Sequence, residues 1–216
     1  MKLFVWDFHG VLEQDNDLAL IEVTNIILKK NGFKAKIDLK IRNLLYGRRW
    51  YEYFEHILPD ENYSTHMDLT CQSYIYNDTH PEVSTKYIKP ANWAEKVLTQ
   101  IQEKKHDQIL ISNTNTNSLN TYLNLVDLKK FFVDEKIFGT DSHRNKRPKT
   151  KFEYLQDYLI DKKFKEIIII GDALEEWKMA DKLRAKFYQY AHEGKNFRQC
   201  PICKRITDLR DILVEI

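Results

Sequence analysis

The chain has 216 residues, 43% hydrophobic and 31% charged, and a formal net charge of +2. That length suits one substantial core, or a core with a smaller domain, and so small a net charge gives no field that demands a nucleic-acid partner. No run approaches the roughly eighteen apolar residues of a membrane span. One lysine and four apolar residues before Asp7 make no leader layout, and the three cysteines are an odd number, so the expected setting is reducing and cytoplasmic.

Leu3 to Trp6 predicts a short buried strand that runs into Asp7, His9 and the turn residue Gly10. The apolar positions Leu18, Leu20, Ile21, Val23, Ile26, Ile27 and Leu28 fit a helical face closed by Asn31-Gly32. Helical patterns recur over Leu39–Tyr46, Trp50–Leu58 and Met67–Ile75, so the stretch up to about Lys86 reads as all-helical. After Pro90 the texture changes. Ala94–Lys104 predicts a helix, Gln108–Ile111 a strand ending in Ser112-Asn113, Leu119–Phe132 a helix and Lys136–Phe138 a short strand. Phe152–Leu159 then predicts a helix, Ile167–Ile170 an apolar strand ending in Gly171-Asp172, Glu176–Leu183 a helix, Lys186–Tyr190 a strand and Asp208–Val214 a closing helix. Alternating strands and helices imply βαβ crossovers and a parallel sheet.

Three of these strands end in a polar group: Asp7, Ser112 and Asp172. In a parallel sheet those ends share one edge, where open α/β folds bind ligands. Each alone reads as an ordinary helix N-cap. Together, in this order and spacing, they resemble the haloacid dehalogenase superfamily. Asp7-Phe8-His9-Gly10-Val11-Leu12 matches its first motif, Ile109-Leu-Ile-Ser112-Asn113 its second and Gly171-Asp172-Ala-Leu-Glu-Glu176 its fourth.

The resemblance implies an α/β fold: a Rossmann-like parallel-sheet core of residues 1–14 and 90–216, with a small all-helical cap of residues 15–89. It implies Mg²⁺-dependent hydrolysis of a small phosphomonoester, a sugar phosphate or a nucleotide-like molecule, through an aspartyl-phosphate. Asp7 takes the place of the nucleophile. Asp7, Asp172 and Glu176, with the backbone carbonyl of His9, take the place of the metal ligands. Ser112 and Asn113 would bind the phosphoryl group. Glu176 stands where the family usually has Asp, and its extra methylene moves the carboxylate by roughly 1.5 Å.

The family's core lysine falls in the run from Asn145 to Lys151. Counting back from Asp172 favours Lys149, with Lys146, Arg147 and Lys151 as the alternatives. His9 departs from the family pattern, which has Asp at this position in most phosphatases. Imidazole can donate and accept a proton near neutral pH, so His9 reads either as a substituted acid/base or as the mark of a damped hydrolase or binding protein.

In the helical stretch, Leu45-Tyr46-Gly47-Arg48-Arg49-Trp50 resembles a substrate-facing cap loop, and Arg48 and Arg49 are candidates to grip a second anion. The neighbouring rings Tyr46, Trp50, Tyr51, Tyr53 and Phe54 form either an aromatic wall or the cap's own core. Cys200-Pro-Ile-Cys203 supplies two thiolates, whereas a structural Zn²⁺ site needs four ligands. His192 and Cys71 are the nearest supplements and lack a recognisable spacing. The partner expected is a small phosphorylated substrate, with no membrane involved. A nucleotide or polynucleotide-end phosphatase is the alternative that would use the basic run.

Overall fold

The computed structural model describes residues 1–46, 48–140, 149–192 and 203–216. In chain order the elements are β1 (Leu3–Trp6), β2 (Glu13–Gln14), α1 (Asn16–Lys30), α2 (Leu39–Leu45), α3 (Trp50–Ile57), α4 (Tyr63–Thr79) and α5 (Pro81–Thr85). They continue with β3 (Lys89–Pro90), α6 (Ala94–Glu103), β4 (Asp107–Ser112), α7 (Thr116–Leu125), β5 (Ile137–Gly139) and α8 (Lys151–Leu159). The last are β6 (Ile167–Gly171), α9 (Leu174–Leu183), β7 (Lys186–Tyr190), β8 (Lys204–Ile206) and a 3₁₀ helix over Leu209–Glu215. The described residues divide into two compact units, one from 1–14, 89–192 and 203–216 and the other from 15–88.

The first unit is built on a six-stranded sheet in the order β5-β4-β1-β6-β7-β8, parallel throughout. β1 is its centre, and all four of its residues are buried because both faces of the sheet are covered. Leu3, Val5, Ile109, Ile111 and Ile169 pack with Leu155 and Tyr158 of α8 and Met179 and Ala180 of α9. Alternation sends Phe4, Trp6 and Gln108 to the opposite face. There the Trp6 indole donates to Gln108 Oε1, and the Gln108 amide donates to the Leu98 carbonyl of α6. A buried glutamine is thereby fully occupied, as a polar group inside a core must be.

The chain leaves β1 towards β4 and β5 on one side, then crosses to β6, β7 and β8 on the other. The carboxyl ends of β1, β4 and β6 therefore lie side by side at the point where strand order reverses, the place such sheets reserve for ligands. The second unit is all-helical. Its core is Ala19, Val23, Ile27 and Leu28 of α1 against Trp50, Phe54, Leu58, Leu69 and Val83, and the Trp50 indole donates to Thr24 Oγ1 at 2.8 Å. The α/β class with a parallel-sheet core and a small helical unit is the one expected.

Three local details differ from expectation. The helix predicted over Leu119–Phe132 stops at Leu125, because Asp127 adopts a left-handed conformation (φ 56°) that no helix continues through. The closing segment, expected as a helix, is a 3₁₀ helix over Leu209–Glu215. A two-stranded ladder, β2 with β3, follows the first motif and was not predicted; two residues are too few to show a period. None of the described helices is long and apolar enough to cross a membrane.

Candidate active site

Asp7 follows β1 directly, is 7% exposed, and has its backbone N–H on the Ile170 carbonyl of β6. Its Oδ1 accepts the N–H of Phe8 at 2.8 Å and the ammonium of Lys151 at 2.8 Å. Lys151 Nζ also donates to Glu176 Oε1 at 2.5 Å. The basic residue against Asp7 is thus Lys151 and not the favoured Lys149, which is half-exposed and paired with Asp157 beside the Tyr154 ring. Lys146 and Arg147 lie outside the described residues.

The register follows from the start of α8. Thr150 is the N-cap: its Oγ1 accepts the Glu153 N–H, and Glu153 Oε2 accepts the Thr150 N–H at 2.7 Å. This capping box sets Lys151 as the first helical residue. Lys151, Leu155 and Tyr158 are then the buried face, spaced by four and three residues, and the lysine is that face's terminal member at the sheet edge.

Asp7, Asp172 and Glu176 form the one group of three acidic or thiol/imidazole ligands among the described residues, with one atom from each within 4.8 Å of the others. All three are buried. Glu176 reaches the group because Gly171 has no side chain: a Cβ there would lie 2.6 Å from the Glu176 Cβ. The longer side chain at a position usually held by Asp is accommodated by that gap.

Burial works against the Lys151 ammonium, but the facing Asp7 and Glu176 carboxylates outweigh it and hold the lysine above its ordinary value. Burial also pushes the Glu176 carboxyl up, to about 7; Lys151 opposes this, while Asp7 and Glu175 add to it. Glu176 Oε2 is buried with no hydrogen-bond partner. A hard divalent cation fits that combination of convergent buried oxygens and an unused ligand atom.

Ser112, at the end of β4, is 1% exposed, and its Oγ accepts the Thr114 N–H at 3.3 Å. The Asn113 amide donates to Glu175 Oε2 at 3.1 Å. His9, two residues after the strand, does not turn its ring into the acidic group. Its Nδ1 faces Glu13 Oε1 at 2.8 Å and its Nε2 faces Thr114 Oγ1 at 2.8 Å. Glu13 and Thr114 carried no weight in the sequence reading. No motif position flags them, and both contacts depend on how the loops after β1 and β4 fold.

The other predicted residues take other partners. Arg48 and Arg49 belong to the helical unit, where the Arg49 N–H donates to Glu52 Oε2 and the Arg48 guanidinium lies 3.8 Å from Glu52 Oε1. Trp50, Tyr53 and Phe54 are that unit's core. Gly47 and Cys200 lie outside the described residues. His192, a possible supplement to a cysteine site, donates instead to the Gly10 carbonyl at 2.6 Å.

Comparison with known proteins agrees with this fold. A search of curated proteins gives no match. Among solved structures the chain is similar to a haloacid dehalogenase-like hydrolase of Streptococcus pneumoniae (13% identity, 99% of this chain and 97% of that one, TM-score 0.77). It is similar also to a haloacid dehalogenase-like protein of unknown function from Agrobacterium tumefaciens (14%, 99% and 96%, 0.71). A third is a hydrolase of the same family from Deinococcus radiodurans R1, solved with bound phosphate and sodium (16%, 99% and 95%, 0.65). The sequence profile of the haloacid dehalogenase-like hydrolases matches residues 4–189. The chain belongs to the haloacid dehalogenase-like hydrolase family.

Proposed function

We propose that this protein is a Mg²⁺-dependent phosphatase that hydrolyses a small phosphomonoester through an acyl phosphate on Asp7. The observation that carries the reading is the buried Lys151 ammonium bound to both Asp7 and Glu176, with the Asp172 carboxylate converging on the same group. A carboxylate held this way is buried, fixed in direction and set against a cation, as suits a nucleophile. The helical unit is read as the cap and the rest as the core.

The steps assigned to the chain's own groups are these. An Asp7 carboxylate oxygen attacks phosphorus, the ester P–O bond breaks, and its electron pair leaves on the alcohol oxygen. His9 supplies the proton that this oxygen takes up. Water then attacks phosphorus and gives its proton to His9, the bond from Asp7 to phosphorus breaks, and inorganic phosphate departs. Lys151 balances the charge on Asp7 and the phosphoryl oxygens through both steps, and Ser112 with the Asn113 N–H would hold one of those oxygens. Mg²⁺, held by Asp7, Asp172, Glu176 and the His9 carbonyl, would supply Lewis-acid neutralisation of the phosphoryl group.

The test is Asp7→Asn assayed on p-nitrophenyl phosphate and a panel of sugar and nucleoside monophosphates with Mg²⁺. Activity of the wild-type protein that is lost by at least about a thousandfold in the variant supports the reading. Metal-dependent turnover retained in Asp7→Asn sinks it.

A further inference from the structure

Glu13 is a carboxylate that the catalytic scheme leaves without a task. It is 1% exposed, lies just past the first motif, and its Oε2 is buried with no hydrogen-bond partner. Its other oxygen is fully engaged: Oε1 accepts the Gly10 N–H at 3.2 Å and sits 2.8 Å from His9 Nδ1. A half-satisfied buried carboxylate costs stability, so its presence calls for a use other than packing.

The backbone holds this pair rigidly. The Phe8 carbonyl accepts the N–H groups of Val11, Leu12 and Glu13, which winds the chain through one tight turn and brings residue 13 back over residue 9. Gly10 makes the turn possible with φ of 73°. The far side of the turn is pinned twice, by the β2–β3 ladder opposite Glu13 and by His192 on the Gly10 carbonyl. The His9 ring is flanked edge-on by Phe8 and Tyr122 at 5.1 and 5.8 Å. It is 27% exposed while Glu13 is buried.

We propose that Glu13 is a positioning residue that makes His9 a directed proton carrier, a buried Glu–His dyad in place of a single carboxylic acid. The inference rests on the phosphatase reading above. An ionised carboxylate can only accept, and Oε1 already takes the Gly10 N–H, so Nδ1 must be the donor to it. The proton on Nδ1 is therefore fixed, and Nε2 is the atom that exchanges protons. Nε2 gives its proton to the departing alcohol oxygen in the first step and recovers one from water in the second. Nδ1–H remains on Glu13 throughout. Thr114 Oγ1, which can donate or accept, is the partner that Nε2 exchanges for the substrate oxygen or the water.

Glu13→Gln keeps the shape and removes the charge. With alkyl phosphates, whose leaving oxygen must be protonated, kcat/KM should fall by about a hundredfold or more. With p-nitrophenyl phosphate, whose leaving group departs without a proton, kcat/KM should fall at least tenfold less. For that ester kcat and KM should fall together, because the second step still needs the ring as base. Equal losses on both esters, or no loss on either, overturn the proposal. A second measurement needs no variant: in the ¹⁵N-histidine-labelled wild-type protein, the neutral His9 ring should carry its proton on Nδ1. A proton found on Nε2 overturns the dyad. Asp7→Asn tests the phosphatase reading separately, so failure of the nucleophile and failure of the dyad give different results.

Discussion

The two edges of the one parallel sheet both gather charge, and they do so in opposite ways. At the amino edge, Lys2 pairs with Glu166 at 2.9 Å and Glu215 at 3.4 Å, and Lys186 pairs with the same two at 2.7 and 2.8 Å. Two cations meet two anions, and the Tyr188 hydroxyl donates to Glu215 as well. Lys186 and Lys2 hold Glu166 below the usual carboxylate range. Burial works against the Glu215 charge, yet Lys186 and Tyr188 outweigh it and keep that carboxyl low too. At the carboxyl edge the Lys151 ammonium is shared by Asp7 and Glu176, and Glu176 is driven upwards instead. A balanced cluster stitches strands together. One that is buried and keeps an unused carboxylate oxygen is a place built to receive a cation from outside.

The largest effect should come from removing the cation of the carboxyl edge. Lys151→Met takes the shared ammonium away from Asp7 and Glu176 and should lower phosphatase turnover by about a hundred- to a thousandfold. The same change should destabilise the metal-free protein by about 3–5 kcal/mol in urea unfolding, because an acid is left unpaired inside. Added Mg²⁺ should restore part of that loss by binding the folded form. A variant as stable as wild type without metal would show that Asp7 and Glu176 do not depend on Lys151 for their counter-charge.

Next comes the titration of Glu176. Its carboxyl is raised in the folded protein, so the folded form binds the proton more tightly than the unfolded chain. Stability of the metal-free protein should therefore fall as pH rises from about 4.5, the ordinary value, to about 7, and the cost is complete above that. Protons and Mg²⁺ compete for the same oxygens. The apparent Mg²⁺ affinity should weaken as pH drops below 7, and Glu176→Gln should flatten that dependence while lowering the affinity itself. Calorimetric titration between about pH 6 and 8, one unit either side of that value, checks both. Gly171→Ala probes the same oxygen from behind. It forces the Glu176 side chain to shift and should cost about tenfold in Mg²⁺ affinity, with the sheet otherwise intact by circular dichroism.

How much of these edges can be read from sequence follows from what each residue depends on. Asp7, Ser112 and Asp172 are legible because a buried strand announces itself by composition, and a parallel sheet aligns strand ends without further information. Glu176 is legible through its spacing from Asp172. Lys151 is a harder case, since a basic run offers several positions to a rule that only counts. The signal that separates them is local: Thr150-x-x-Glu153 is a capping box, and with it Lys151, Leu155 and Tyr158 fall on one buried stripe. Lys149 then lies before the helix and pairs at the surface with Asp157. Glu13 and Thr114 have no comparable signal. Their meeting at His9 is produced by a turn wound on the Phe8 carbonyl and by the adjacency of β1 and β4, neither of which leaves a mark in the neighbouring residues. The amino edge is equally silent, because Lys2, Glu166, Lys186 and Glu215 look like ordinary surface charge until the sheet collects them.

The smallest effect belongs to that balanced edge, and it completes the contrast. Glu166→Gln removes one acid from a cluster that is open to solvent, with the Glu166 side chain 27% and Lys186 47% exposed. Such pairs are worth about 0–1 kcal/mol and are weakened by salt. Because the Glu166 carboxyl is depressed in the folded protein, its contribution is fully present above the unfolded value near 4.5 and fades as pH falls through the lower folded one. Urea unfolding at pH 7 should therefore show a loss of at most about 1 kcal/mol in Glu166→Gln, smaller in high salt and shrinking as pH falls through the depressed folded value. Phosphatase activity and Mg²⁺ affinity should not move, since no group of the carboxyl edge touches Glu166. A change in Mg²⁺ affinity would mean that the two edges are electrostatically joined through the sheet, and the division between a stitching cluster and a receiving one would have to be given up.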